Sequence, residues 1–473
     1  MGVSGILNTG RSGMAAAKTA IATAGHNIAN ANTEGYSRQR VTMETAAAQG
    51  SVLPKGSVGN GVEVAGVDRI NDEYLERQLR NSARDMAGME EKDMGLKQLE
   101  DIFNEVNGEG LNRVISRFFN DFRKLANEPE NESIREAVRE SSMALVNDFH
   151  RMRNEVMEVR DHLDSRVEAY AGEASSLAED LKKLNLNITQ MELNKTPAND
   201  LRDQRDQVLK KLGSLMDLGV HKDHRGDFSV DIKGVGPLVT GSQAEKLMVE
   251  RSPADDQGKG EGAYSLRTTA RAGGDITHQL KGGKIGALLE TRDKTLTAVL
   301  SKLDDLAYNL SQSVNEVHNQ GFTRSGLQGV DFFAAPMARE RAAEFFDLSE
   351  EVKSNVDHIA TAAVPDAPGD NRIALAISGL QHMKVMHEGK STLDEWFNSI
   401  VSDVGVVSAH NRSGLNQQRD INTQLGKMRE RISGVSVDEE TANLMQFQHT
   451  FDASAKVIQV ADEMLKTVLE LKR

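Results

Sequence analysis

The chain has 473 residues, 57 basic and 71 acidic side chains, a net charge of −14 and no cysteine. Such an acidic chain is not expected to bind nucleic acid or an anionic membrane, because both need clustered Lys and Arg. The lack of thiols excludes disulfides, thiolate nucleophiles and thiolate metal sites. Aromatic residues make up 4% of the chain, which favours thin seams between long helices over a thick core.

The first segment predicts a helix with one narrow apolar seam. Its apolar and small residues are spaced alternately by three and four, which is the pattern of a helix that packs against another helix. They are Leu7, Gly10, Met14, Ala17, Ile21, Ala24 and Ile28. The N-terminus shows no basic segment followed by an apolar one, so we expect no cleavable secretory signal.

A Gly- and Val-rich stretch, residues 33–70, follows and predicts a hairpin or an extended arm. Longer helices come next. One seam runs from Leu145 to Met191, a second from Leu296 to Val317, and a third from Leu393 to Ile432. Because these seams come from both halves of the chain, we expect them to form one antiparallel bundle.

Residues 219–283 change character and predict a small β-domain. Phe228, Val230 and Ile232 alternate with polar residues, which is the period of a strand. Inserted between two helices, this domain is expected to form a knob far from the chain termini.

The last segment mirrors the first. The spacing of three and four recurs at Leu444, Phe447, Phe451, Ser454, Ile458, Ala461, Leu465 and Val468. The predicted fold class is therefore mainly α with a small inserted β-domain, elongated, with a terminal-helix coiled coil and an antiparallel bundle. The predicted divisions are 1–70, an axial helix and arm that pairs with 433–473; 71–218, the first half of the bundle; 219–283, the β-domain; 284–432, the second half; and 433–473, the C-terminal axial helix.

Two terminal runs carry a family resemblance. The run from His26 to Gln39, HNIANANTEGYSRQ, resembles the N-terminal signature of flagellar rod, hook and hook-associated proteins. Glu34 stands where that family usually has proline. The run from Ser433 to Leu471 resembles the family's C-terminal signature, and residues 283–293, 314–321 and 329–333 look like the hook-associated members.

The resemblance implies a non-enzymatic structural subunit that joins the flagellar hook to the filament. It implies export by the flagellar type III route, an extracellular location and no cofactor. The implied partners are copies of the chain in a ring, the hook protein, the next junction protein and a cytoplasmic export chaperone on the C-terminal helix. Besides the terminal seams, the implied assembly residues are Asn30, Asn32, Thr33, Gly35 and Tyr36.

A lone helix gains most of its stability from tertiary packing. We therefore expect residues 1–33 and 437–473 to be mobile in the free monomer and to become ordered on assembly.

Two alternative functions are also compatible with the sequence. One is another rod or hook component. The other is a cytosolic coiled-coil scaffold, which leaves the two terminal signatures unexplained.

Other chemistry is weakly indicated. His221 and His224 have a spacing that suits metal binding on a helix, but they lie in a polar turn without further ligands, so we expect no metal site. Asp203, Asp206 and Asp217 lie in a highly charged stretch that we interpret as a solvated helix face rather than an acid–base pair.

Overall fold

The computed structural model describes residues 3–46, 61–103, 110–193, 196–222, 228–251, 264–269, 274–334 and 336–470. Its fold is mainly helical with small antiparallel sheets, which confirms the predicted fold class. The helices are α1 (Val3–Ala29), α2 (Glu73–Phe103), α3 (Leu111–Asn127), α4 (Glu132–Leu193), α5 (Asn199–Leu215), α6 (Gly283–Glu290), α7 (Thr297–His318), α8 (Ala342–Phe345), α9 (Glu350–Ser354), α10 (Arg372–Gly379), α11 (Leu393–Ser433) and α12 (Val437–Glu470).

The strands are β1 (Gln39–Thr45), β2 (Val62–Arg69), β3 (Leu218–Lys222), β4 (Phe228–Ile232), β5 (Gly236–Thr240), β6 (Gln243–Ala244), β7 (Leu247–Arg251), β8 (Tyr264–Thr268), β9 (Phe333–Ala334) and β10 (Asp347–Leu348). β1 pairs antiparallel with β2, so this part of the predicted arm is a two-stranded ribbon. The strands β3 to β6 form one antiparallel sheet in chain order, and β7 pairs with β8.

Helix α4 is the longest element, at 62 residues, or ~93 Å at the usual rise per residue. Its predicted seam is largely buried, from Leu145 through Leu163 to Ile188. Burial of one continuous apolar stripe explains why so long a helix is stable. The other bundle helices pack along it.

Helices α2 and α11 lie antiparallel beside this core. Phe103 is near Phe397 at one end, with ring centroids 6.3 Å apart. Arg429 donates to Glu76 at 2.7 Å near the other end. Between them, Asn411 donates to the Met89 carbonyl at 3.0 Å. The pairing is thus apolar at one end and polar at the other.

The aromatic residues are concentrated at the end of the bundle where α4 begins. The ring centroid of Phe118 lies 5.0 to 5.9 Å from those of its four neighbours, Phe119, Phe122, Phe332 and Phe333. All five side chains are inaccessible to solvent. We call this set the aromatic cluster. It is a thick local core of a kind that the low aromatic content did not suggest.

The β3–β6 sheet lies near the opposite end of α4, and its predicted location was wrong. The guanidinium carbon of Arg205 on α5 is 3.6 Å from the ring centroid of Phe228. Asn185 near the end of α4 donates to the Phe228 carbonyl at 3.1 Å. β3 runs back alongside α5, so that Lys222 lies 3.6 Å from Glu73 at the start of α2, close to the region where the terminal helices attach.

Candidate assembly interface

The terminal helices α1 and α12 pack against each other in antiparallel orientation. A Cβ atom added at Gly10 would lie 2.8 Å from Ile458 Cγ1, and one added at Gly13 would lie 2.8 Å from Ser454 Oγ. Glycine at both positions therefore lets the two backbones approach closely.

The buried face of α1 is lined by smaller side chains than those of the predicted seam. The buried apolar residues are Ala16, Ala17, Ala20 and Ala24. The larger members of the predicted seam are only half-buried; they are Leu7, Met14, Ile21 and Ile28. The observed contact face thus follows Gly and Ala, and the large apolar side chains stand at its edge.

On α12 the predicted seam faces α1, but one partner helix does not cover the apolar surface of α12. Within α12 only Glu440 and Ala461 are buried. Half-buried seam residues are Leu444, Phe447, Phe451, Ile458 and Leu465, whereas Val468 is 56% exposed. A second stripe is exposed: Val457 40%, Val460 48%, Met464 45% and Val468. We call these four residues the outer α12 stripe.

The amide of Asn27 fastens α1 to the rest of the molecule. Its Nδ2 donates to the Gln39 carbonyl at 2.9 Å and to Glu440 Oε2 at 3.0 Å. Its Oδ1 accepts from the Tyr36 hydroxyl at 2.7 Å and from the Gln39 amide at 3.0 Å. These four bonds use the full hydrogen-bonding capacity of the amide. Asn27 therefore joins α1, the signature loop (residues 30–38) and α12.

Glu440 is a buried carboxylate at the start of α12, with 3% of its surface exposed. Its Oε1 lies 2.7 Å from Nε of Arg38. The Arg38 backbone amide also donates to the Ser433 carbonyl at 2.8 Å. The signature loop is thus bound to the connection between α11 and α12.

Asp203 links the same loop to α5. Its Oδ1 accepts from Arg69 at 2.6 Å, and its Oδ2 accepts from the Ser37 amide at 3.0 Å. Burial raises the pKa of Asp203, and the Ser37 amide and Arg69 act against that rise. The interpretation of Asp203 as part of a solvated face was wrong, because the residue is only 7% exposed and its carboxylate is bound by Arg69 and by the Ser37 amide. Asp206 shares Arg69 at 3.0 Å.

The signature loop carries most of the remaining predicted residues. Burial and the nearby carboxylates of Asp200, Asp203 and Glu440 raise the pKa of the Tyr36 hydroxyl well above its usual value. The hydroxyl consequently stays protonated and able to donate to Asn27.

Gly35 has φ +80°, and a Cβ there would overlap the side chain of Gln207. Arg429 donates to the Gly35 carbonyl at 2.9 Å. Glu34, at the family's proline position, is exposed and lies 3.6 Å from Lys210. The turn therefore forms without proline because Gly35 supplies the left-handed backbone.

The other three loop residues have local roles or face solvent. Asn30 donates to the His26 carbonyl at 3.0 Å, and Thr33 donates to Asn30 Oδ1 at 3.2 Å. Asn32 and Thr33 are exposed. These bonds continue the end of α1 into the loop.

The remaining candidate groups form no metal site within the described ranges, where no cluster of three suitable side chains occurs. His221 pairs with Asp231 at 3.1 Å; His224 lies outside the described residues. Asp217 pairs with Lys233 at 2.9 Å. Among helices in the described part of the chain, none is both long and apolar enough to cross a membrane.

Comparison with known proteins identifies the family. The model of the flagellar hook-associated protein FlgK helical domain matches residues 96–333. The models of the flagella basal body rod protein and of the flagellar basal body rod FlgEFG protein C-terminal region match residues 7–36 and 430–471. The chain therefore belongs to the flagellar hook-associated protein FlgK family. It is a structural component of the external bacterial flagellum and associates with other flagellar proteins.

Two relatives found by sequence match along almost the whole chain. Flagellar hook-associated protein 1 of Bacillus subtilis is 28% identical over 98% of this chain and 97% of its own length. The Escherichia coli protein of the same name is 24% identical over 99% of this chain and 100% of its own length. The structure of the flagellar hook junction protein FlgK from Burkholderia pseudomallei covers 75% of this chain and 100% of its own, with a TM-score of 0.66 and 16% identity. That likeness supports the fold.

Sequence reasoning missed the buried polar residues that fasten the terminal helices. Asn27 lies inside the recognised signature but was not chosen, although a polar residue beside an alanine stripe is a usable signal. Arg38 and Gln39, which bind Glu440 and Asn27, lie at the end of the same signature and were also missed. Glu440 and Asp203 had no local signal, because each is recognised only through distant partners.

Proposed function

We propose that this chain is a subunit of the junction between the flagellar hook and filament, that it leaves the cell by the flagellar type III route, and that it assembles with copies of itself in a ring. The observation that carries the proposal is the outer α12 stripe. Its members repeat at three- and four-residue intervals, so they form one continuous apolar surface along the helix. Such a surface on a folded subunit marks a contact with another protein.

The terminal helices use one face for contacts within the chain and another for contacts between copies. In our proposal Ala17, Ala24 and Ala461 hold α1 and α12 of one chain together. The larger seam residues and the outer α12 stripe then contact neighbouring copies. Contacts between different surfaces build rings or helical arrays rather than closed dimers.

The signature loop would orient this pair. Asn30, Asn32, Thr33, Gly35 and Tyr36 belong to the assembly interface in our proposal. Tyr36 is buried and bonded to Asn27, which supports a role in setting the angle of the pair rather than in direct contact with a neighbour. Of the predicted loop residues, Asn32 and Thr33 are exposed, as is Glu34 between them and Gly35, and they are available to the hook protein or to the next junction protein.

The same helix suits an export chaperone. Before assembly the outer α12 stripe would face water, and an apolar groove on a cytoplasmic chaperone would cover it. Apart from the polar contacts around Asn27 and the contact of α1 with the β1–β2 ribbon, the helix pair is barely packed against the bundle, so residues 1–33 and 437–473 would be mobile in the free monomer. We also propose the five divisions of the chain at residues 70, 218, 283 and 432.

Deletion of the gene, followed by electron microscopy and an assay of flagellin in the medium, tests this function. We expect hooks without filaments and flagellin lost to the medium, with filaments restored by re-expression. Absence of hooks would favour a rod or hook component, and normal filaments would overturn an axial role in favour of a cytosolic scaffold.

A matched pair of variants tests the surface itself. Val460→Asp with Met464→Asp places two charges on the outer α12 stripe, and we expect filaments to be lost. Gln448→Asp with Gln459→Asp adds the same charge at exposed polar positions of α12 and should preserve filaments. Equal behaviour of the two variants, with both proteins exported, would refute the role of the stripe.

A further inference from the structure

Helix α3 carries a strongly basic outer face in an otherwise acidic chain. Its exposed residues Arg113, Arg117, Asn120, Lys124 and Asn127 are spaced by four, three, four and three, so they form one stripe along the helix. Arg123 stands beside them and donates to Asn120 at 2.8 Å. The one acid of the helix, Asp121, is buried and pairs with Lys124 at 2.7 Å. We call this surface the α3 basic stripe.

The opposite side of α3 is buried in the core of the bundle. Phe118, Phe119 and Phe122 belong to the aromatic cluster and are inaccessible to solvent. The helix is therefore fixed in orientation, and its basic side chains border an open surface depression of about 480 Å³. A rigidly held row of cations of this kind favours a partner with a matching row of anions.

A matching row lies on the first two turns of α4, at the same end of the bundle. Glu132, Glu136 and Glu140 repeat at intervals of four, which spaces them by ~6 Å along the helix. Arg113 and Arg117 repeat at the same interval. Glu132 and Glu140 are exposed, and Glu136 pairs with Arg139 of its own helix. We call this surface the α4 acidic stripe.

We propose that the α3 basic stripe of one copy docks on the α4 acidic stripe of the neighbouring copy in the ring, an inference that rests on the proposed function. Each copy has a net charge of −14, so copies placed side by side repel one another unless basic surface meets acidic surface. Neighbours in a ring share one axial level, and the two stripes flank the short connection between the end of α3 at Asn127 and the start of α4 at Glu132. The contact would set the lateral spacing of bundles, separately from the terminal helices.

Cysteine crosslinking tests the contact, because the chain has no cysteine of its own. Cells lacking the native copy would express two single variants together: Asn120→Cys, inside the basic stripe, and Ala137→Cys, beside Glu136. A short bifunctional maleimide applied to isolated hook structures should give a covalent dimer from the mixture and from neither variant alone. The control pairs Ala137→Cys with Lys183→Cys, which is remote on α4, and should give no dimer.

Charge reversal completes the test. Arg113→Glu with Arg117→Glu, introduced into the Asn120→Cys chain, should lower the dimer yield roughly tenfold. Adding Glu132→Lys, Glu136→Lys and Glu140→Lys to the other chain should restore it.

Three results would overturn the proposal: no dimer although both variants are present in the hook structures, a dimer insensitive to charge reversal, or capture of a different polypeptide by Asn120→Cys. If neither variant is incorporated while flagella are otherwise normal, the junction function itself fails, and the docking contact falls with it.

Discussion

The two ends of α4 are built on different physical principles. At its beginning, the aromatic cluster forms a dry core, and Arg135, 1% exposed, satisfies its guanidinium on the Pro129 and Ile359 carbonyls at 2.9 and 2.7 Å. Near its end, the terminal helices are attached by a polar network around Asn27, and the helices themselves meet through Gly and Ala. The core of the first end is complete within one chain, whereas α12 at the second end exposes an apolar stripe that its single partner helix does not cover.

This difference indicates that the aromatic cluster contributes mainly to folding, whereas the outer α12 stripe is left uncovered by the fold of one chain. Burial of large aromatic side chains contributes most to folding. The polar network contributes less free energy but fixes geometry, because each of its groups has a specific partner. Substitutions at the first end should therefore change the free energy of unfolding strongly, whereas substitutions at the second end should mainly change local hydrogen exchange in α1 and α12.

The largest effect is expected from Phe118→Ala. The ring is fully buried among four other rings, so its removal leaves a cavity and should destabilise the bundle by ~3–5 kcal/mol. Urea unfolding followed by circular dichroism would measure the change. Met445→Ala on α12, where the side chain is 52% exposed, should cost less than ~0.5 kcal/mol in the monomer. Similar losses for the two variants would contradict the contrast between the ends.

Acid should weaken the same end through His318. Burial lowers the pKa of this imidazole to about 4, while its Nδ1 donates to the Val330 carbonyl at 2.7 Å and its Nε2 accepts from the Ala360 amide at 2.8 Å. The unfolded chain binds the proton near pH 6.5, so stability should fall as the pH drops from about 6.5 to about 4, by up to ~3 kcal/mol.

Denaturant unfolding at pH 7 and pH 4.5 would measure this dependence in the wild type and in His318→Gln. The variant should be less stable at pH 7 and should lose less stability on acidification. An equal loss in both proteins would show that other groups account for the acid sensitivity.

At the other end, Asn27→Ala removes an amide with four hydrogen bonds and should cost ~2 kcal/mol. The loss should appear as faster hydrogen exchange in α1 and α12, with little change in the aromatic cluster. Asn32→Ala, an exposed position in the same loop, is the control and should leave exchange unchanged. If Asn27→Ala loosened both ends equally, the network would not be a local fastening.

The smallest effect comes from the helix pair itself. Gly5→Ala meets nothing within 4 Å and should stabilise α1 by ~0.5–1 kcal/mol through helix propensity. Gly10→Ala has the same propensity gain, but its Cβ would press on Ile458 and on the Ser454 carbonyl. We expect that contact to cancel or reverse the gain, measured as the difference in exchange between the two variants. Identical behaviour would show that the helices do not pack closely at Gly10.

The long periodic helices were predictable from sequence because each buries one regular stripe. The predicted seam is buried on α4 from Leu145 to Ile188, and Phe228 to Ile232 form β4. On α1 two overlapping patterns compete, since Gly10, Ala17 and Ala24 belong to both. The prediction favoured the more hydrophobic residues Met14 and Ile21 as the contact face. In the structure the smaller Ala20 and the polar Asn27 are buried instead, because the two helices pack closely.

What could not be predicted depends on distant partners. The aromatic cluster joins residues near 118 with residues near 332, and overall composition does not report such a concentration. The pairing of Asp203 with Arg69 and Ser37 likewise crosses more than one hundred positions. Of the proposed assembly residues, the terminal seams follow from periodicity and the loop residues from family resemblance, but the polar contacts around Asn27 can be recognised only in the folded chain.

The pairing of α1 with α12 also has a consequence for timing. Asn27 and Glu440 are separated by 413 positions in the chain, so their bond requires both ends of the polypeptide to be present at once. Whichever end emerges first from a ribosome or a secretion channel must wait for the other, while the bundle between them can already fold. The pairing of α1 with α12 can therefore form only late, after both Asn27 and Glu440 have emerged.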